Sequence, residues 1–118
     1  MVGNMENELG KVVIENEVLA KVAGLSAIEC YGVVGMAMVN FTTGLTRLLK
    51  RESLTKGIDL QVNENIISIE LHIIIEYGVN IKAVTDSLIS TVKYKVETFS
   101  GMEVDKIDVF VEGVRVDE

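Results

Sequence analysis

The run from Ile66 to Tyr77, IISIELHIIIEY, constrains the fold of this chain more than any other stretch. Ile67, Ile69, Leu71, Ile73, Ile75 and Tyr77 recur at every second position, and Ser68, Glu70, His72 and Glu76 fill the places between them. Successive side chains of a strand point to opposite faces, so this alternation predicts a long strand with one buried and one wet face. A sheet built on it needs cover on one side only. Ile74 breaks the polar series and puts a large apolar side chain where water is expected.

Two helical patterns are available to cover that face. Glu15, Asn16 and Glu17 suit the start of a helix that runs to about Tyr31, because acids and capping residues favour the positive end of its dipole. Leu19, Val22, Ala23, Ser26, Ala27 and Cys30 give it an apolar face of small residues that can lie close on a sheet. Gly24 inside it costs roughly 1 kcal/mol against alanine, which marks a tight contact, and Gly32 stops it. The second helix spans 79–99, with Ile81, Val84, Leu88, Val92, Val96 and Phe99 as its buried stripe and Lys82, Asp86, Lys93 and Glu97 outside. Gly101 ends it.

Gly57 to Val62 and Ile66 to Tyr77 read as a hairpin joined by Asn63, Glu64 and Asn65, residues that tolerate turn conformations. Lys11 to Ile14 is a first strand, and Ile107, Val109 and Val111 are a closing one that Val114 and Val116 extend past Gly113. Met1 to Leu9 reads as a mobile tail. Between Val33 and Thr55 the pattern gives a short strand at Val34, Met36 and Met38. Leu45, Leu48 and Leu49 then fit a brief amphipathic helix whose other side shows Arg47, Lys50 and Arg51. The expected fold is α/β of the α+β type: a single mixed or antiparallel sheet of four to five strands, with two main helices packed on one face. It forms one domain over 10–118.

The bounds agree. A chain of 118 residues builds one core. No apolar run approaches the roughly 20 residues that cross a bilayer, so no membrane span is expected. The start of the chain carries Asn4, Glu6, Asn7 and Glu8 and lacks a basic and apolar leader, which predicts a cytoplasmic protein. The lone Cys30 fits a reducing compartment. A net charge of −7 argues against nucleic acid, whose binding draws on Lys and Arg displacing counterions.

Chemistry-bearing residues are sparse. His72 and Glu70 share a strand face, but two ligands are too few for a zinc site. Ser68 lies about 13 Å along the strand from His72, at roughly 3.3 Å per residue, beyond the reach of a nucleophile and its base. Cys30 on an apolar helix face behaves as a small hydrophobe. Gly32-Val33-Val34-Gly35 has the GxxG shape of a backbone-clamping loop, yet its apolar middle and the acidic chain favour a plain turn. No catalytic, metal or cofactor-binding residue is expected, and no cofactor.

Two surface features point to partners. Ile74 on the polar strand face and Phe110 on the outward side of the last strand form an apolar patch if those strands are neighbours. Arg47, Lys50 and Arg51 beside the leucines offer a basic surface to lipid head groups or an acidic partner. Each feature has a plain alternative: a covering helix or loop for the first, an ordinary solvated face for the second.

Taken together, GKVVIENEVLAKVAGLSAIECYGVVGM from Gly10 to Met36, ENIISIELHIIIEYGVNI from Glu64 to Ile81, and VFVEGVRV from Val109 to Val116 resemble the alkaline shock protein family of bacteria. The likeness covers nearly the whole chain from Gly10, through core residues and turn glycines such as Gly24, Gly32, Gly35 and Gly113. It loosens from Met36 to Lys56 and in the first nine residues. The resemblance implies a non-enzymatic, adaptor-like protein of cell-envelope stress and homeostasis. Such a protein works through protein contacts in the cytoplasm, or at the inner membrane surface through a membrane-anchored partner, or as a homo-oligomer. Alternatives are a regulatory binding protein for a metabolic, lipid-precursor enzyme and an enzyme of unknown type, which would need a cluster of titratable groups in one pocket.

Overall fold

The computed structural model describes residues 3–7, 9–40, 45–48 and 57–116, with side chains described for 9–37 and 57–116. The order of elements is β1 (Gly3–Asn7), β2 (Gly10–Ile14), α1 (Asn16–Ile28), β3 (Val33–Asn40), β4 (Leu45–Leu48), β5 (Ile58–Asn63), β6 (Ile66–Glu76), α2 (Ile81–Ser100) and β7 (Glu103–Arg115). The α+β architecture expected from the sequence is present.

The long alternating run becomes β6, the organising strand of a five-stranded mixed sheet. One edge of β6 is shared: β5 pairs antiparallel with Ile66 to Leu71, and β3 pairs antiparallel with Ile73 to Ile75. β7 runs parallel along the other edge, from Ile66 to Glu76. Parallel neighbours need a long crossover, and α2 supplies it. The β5–β6 turn places Glu64 and Asn65 at φ 53° and 63°, the left-handed pair that a two-residue hairpin turn demands.

The predicted strand phase is observed. Ile67, Ile69, Leu71, Ile73 and Ile75 are buried beneath the helices, whereas Tyr77 lies past the strand and is exposed. Val84, Leu88, Val92 and Val96 of α2, at intervals of four, and Leu19, Ala23 and Ala27 of α1 complete the core. At this spacing one stripe of a helix faces the sheet throughout. Ile81 and Phe99, expected in the stripe, are exposed instead: each lies three residues from that run of four, out of its phase, and Ser100, four past Val96, is buried where Phe99 was expected. Asn80 caps α2 by accepting from the Ala83 amide at 2.9 Å, and Gly101 closes it at φ 74°.

Two segments depart from expectation. Leu45–Leu48 is a strand paired antiparallel with β3, where the sequence suggested a helix: so few residues do not establish a period, and the neighbouring strand edge decides; Leu49 lies outside the described residues. Gly3–Asn7, within the stretch read as a tail, pairs with Gly10–Ile14 to make a separate two-stranded sheet. Val12 and Val13 of that hairpin are both exposed, so neither of its faces is well covered. The molecule measures 58 × 32 × 21 Å with a radius of gyration of 15.0 Å, against about 13.5 Å for a compact domain of this length.

Candidate interaction surface on the open face of the sheet

The helices cover one face of the sheet, and the side chains between the core positions of β6 point the other way. Ser68, Glu70, His72, Ile74 and Glu76 are all only partly buried. The parallel register brings β7 alongside, placing Phe110 opposite His72 and Gly113 opposite Ile74. The expectation that Ile74 and Phe110 lie on neighbouring strands is met. Phe110 is 41% exposed.

Local chemistry fixes the aromatic. The rings of His72 and Phe110 stack at 4.9 Å with an interplanar angle of 13°. Register skips from Val111 to Gly113, so Glu112 is the extra residue of a bulge, and its Oε1 accepts from Nδ1 of His72 at 3.0 Å. Ile74 lies between two glycines, Gly35 on β3 and Gly113 on β7. A Cβ at Gly113 would stand 3.7 Å from Ile74 Cγ1, so the isoleucine has no side-chain wall on either flank.

Further along the same face, β5, β6 and β7 align Asp59, Glu70 and Asp108 in one cross-strand row. The next row is Gln61, Ser68 and Lys106. These six residues with Ile69 line a depression of about 280 Å³. Lys106 Nζ is 3.4 Å from Asp108 Oδ2, a contact that relieves part of the repulsion among the three carboxylates. Ser68 Oγ donates to Asp105 Oδ1 at 3.0 Å, so it is turned to β7 and not to His72.

Nothing on this face assembles a catalytic set from the residues weighed in the sequence. Among the described residues no three His, Cys, Asp or Glu side chains are grouped to hold a metal ion. Cys30 is partly buried and donates to the Ser26 carbonyl at 3.5 Å. Gly32 makes the turn after α1 at φ 87°, and Val33 and Gly35 belong to β3, so the GxxG sequence is a turn running into a strand. Lys82, whose proton is held more tightly by the Asp86 hydrogen bond and charge, stands on the exposed side of α2. Arg47 falls in β4, with its side chain outside the described set, and Lys50 and Arg51 lie outside the described residues.

His72–Glu112 and the acidic row were not foreseen, because both depend on the β6–β7 register and its bulge. No helix among the described residues is long and apolar enough to cross a membrane.

The profile of the alkaline shock protein 23 family, described as having a cell envelope-related function, matches residues 4–116. The Bacillus subtilis protein YloU is 39% identical over 113 residues, covering 95% of this chain and 94% of its own. The Streptococcus pyogenes protein Spy1614 is 32% identical over 108 residues, covering 91% and 89%. A stress response regulator Gls24 homolog of S. pyogenes is 24% identical over 109 residues, covering 92% of this chain and 61% of the regulator. No solved structure matches the chain. The match of profile and relatives over almost the full length shows that this chain belongs to the alkaline shock protein 23 family.

Proposed function

We propose that this protein is a non-catalytic adaptor of cell-envelope homeostasis that acts by docking a protein partner on the open face of its sheet. The observation that carries the reading is the Ile74–Phe110 patch. Two large apolar side chains sit on a face that no helix among the described residues covers, one stacked on His72 and 41% exposed, the other flanked by glycines. Apolar residues gathered on an uncovered surface stabilise association when a partner removes them from water. The surrounding carboxylates give the patch a charged rim, the arrangement typical of reversible protein contacts. The description of the Gls24 homolog as a stress response regulator and the family's link to the envelope support the same reading. On this reading the protein works in the cytoplasm, at the inner membrane surface where its partner is anchored there.

The test is affinity purification from the native cell with identification of the recovered proteins, comparing wild type with the Ile74→Ser, Phe110→Ser double variant. Envelope or membrane-anchored proteins recovered by the wild type and lost from the variant are expected. An identical set from both would remove the open face from the mechanism.

A further inference from the structure

We infer that the partner is held as an added β-strand on the free edge of β7, and that it is an extended segment of another protein carrying a basic residue with an apolar residue two positions to one side and an acidic residue two positions to the other. The inference rests on the adaptor reading and specifies how the partner is gripped. β7 pairs with β6 along one edge only, and among the described residues no strand pairs with the other. An unpaired edge presents a row of amide and carbonyl groups that another chain can complete.

The edge is closed at both ends and open between. At its start, Lys93 Nζ donates to the Val104 carbonyl at 3.0 Å and Glu97 Oε2 accepts from the Val104 amide at 2.9 Å, so side chains of α2 occupy that position. At its far end the Glu112 bulge interrupts the ladder. Register also skips from Val104 to Lys106, so Asp105 is a second bulge at the guarded start, and the ladder from Lys106 to Val111 runs without a break. Helix cover also thins along β7: Val104 is fully buried, Val109 partly, and Val111 is 38% exposed. An added strand would therefore bury Val111 on one side of the sheet and Phe110 on the other.

Charge selects the occupant. The row Asp59, Glu70, Asp108 ends at this edge, and the next position outward belongs to the added strand. Like charges directly opposite one another destabilise a sheet, so a lysine or arginine there completes the row favourably. The adjacent positions face Phe110, which favours an apolar residue, and Lys106, which favours an acid. A second copy fits poorly, because full overlap of two 105–111 stretches sets Asp108 against Asp108.

The experiment uses the isotope-labelled full chain and a peptide of seven residues with valine second, lysine fourth, glutamate sixth and threonine elsewhere. A control peptide has glutamate fourth. Slowed amide exchange within 105–111 is expected with the lysine peptide, and binding about fivefold weaker with the control. Asp108→Lys should reverse that preference. Absence of binding by either peptide overturns the inference. Shifts at Ile74 and Phe110 without slowed exchange in 105–111 also overturn strand addition, while leaving the open-face contact of the adaptor reading in place. Protection of 105–111 that rises with protein concentration and needs no peptide would identify a second copy as the occupant and overturn it too.

Discussion

Glu112 reaches back across the sheet to His72, its Oε1 3.0 Å from the ring Nδ1, and it does so from the extra position of a bulge. The same histidine ring supports Phe110 by stacking. One hydrogen bond therefore sets the posture of the aromatic on the open face, linking a backbone irregularity in β7 to the surface proposed to meet a partner.

Removing that acceptor should loosen the patch without harming the core. Both side chains are partly buried, and a hydrogen bond of this kind contributes about 0.5–1.5 kcal/mol. Glu112→Ala is expected to lower the thermal midpoint by a few degrees, about 4 °C. The Phe110 ring protons should broaden or shift in the variant, and ring signals identical to wild type would show that the stack does not depend on Glu112.

Gly32 and Gly78 make a matched pair for separating steric from backbone strain. Both have positive φ, 87° and 94°, so alanine at either pays a conformational cost of order 1 kcal/mol. A Cβ at Gly78 meets nothing within 4 Å, whereas one at Gly32 would lie 2.7 Å from Val84 Cγ2 in the core. Chemical denaturation should therefore find Gly32→Ala less stable than Gly78→Ala by roughly 1 kcal/mol or more, the scale of an overpacked core contact. Equal stabilities would mean that Val84 moves aside freely.

The first helix depends on small side chains facing inward. Ala23 and Ala27 are fully buried, and Gly24 and Ser26 are buried beside them. Ala27→Leu should cost about 1–3 kcal/mol by forcing the helix off the sheet. At Gly24, alanine would gain up to roughly 1 kcal/mol of helix propensity if space existed. A destabilised Gly24→Ala would confirm the close approach, and a stabilised one would refute it.

How far the sequence reaches can be judged residue by residue. The burial of Ile67 to Ile75 was legible because period two with one wet face has a single solution for a half-buried strand. The α2 stripe at Val84, Leu88, Val92 and Val96 was legible for the same kind of reason, and Asn65, at φ 63°, is a residue type that the left-handed turn position favours. Leu45 and Leu48 were not, since four residues are too few to separate helix from strand and the β3 edge made the choice. The site was half legible. Phe110 and Ile74 announced themselves as apolar residues out of phase, but His72–Glu112 and the Asp59, Glu70, Asp108 row arise from registers between distant strands that no local pattern encodes.

Serine at Ile74 and Phe110 should leave the fold nearly untouched, because both residues lie on the face opposite α1 and α2. Far-ultraviolet circular dichroism of the double variant should match wild type, and its unfolding should remain a single transition. Loss of helical signal would show that the open face contributes to the core, and would undercut its use as a docking surface.

The guard on the β7 edge makes the last prediction. Val104 is an edge residue with both backbone groups engaged by α2, its amide by Glu97 and its carbonyl by Lys93. Replacing both with alanine removes two charge-assisted hydrogen bonds from partly exposed positions, which should cost about 1–2 kcal/mol. The consequence for association differs in kind. The backbone groups of Val104 are then unguarded, one residue before the Asp105 bulge, and unguarded edges invite edge-to-edge pairing. Sedimentation over a concentration series should show the Lys93→Ala, Glu97→Ala variant associating where wild type does not. Single variants should fall between, because each leaves one of the two Val104 groups engaged. A double variant that loses stability yet sediments as wild type would show that these side chains serve the α2–β7 contact alone and do not shield the edge.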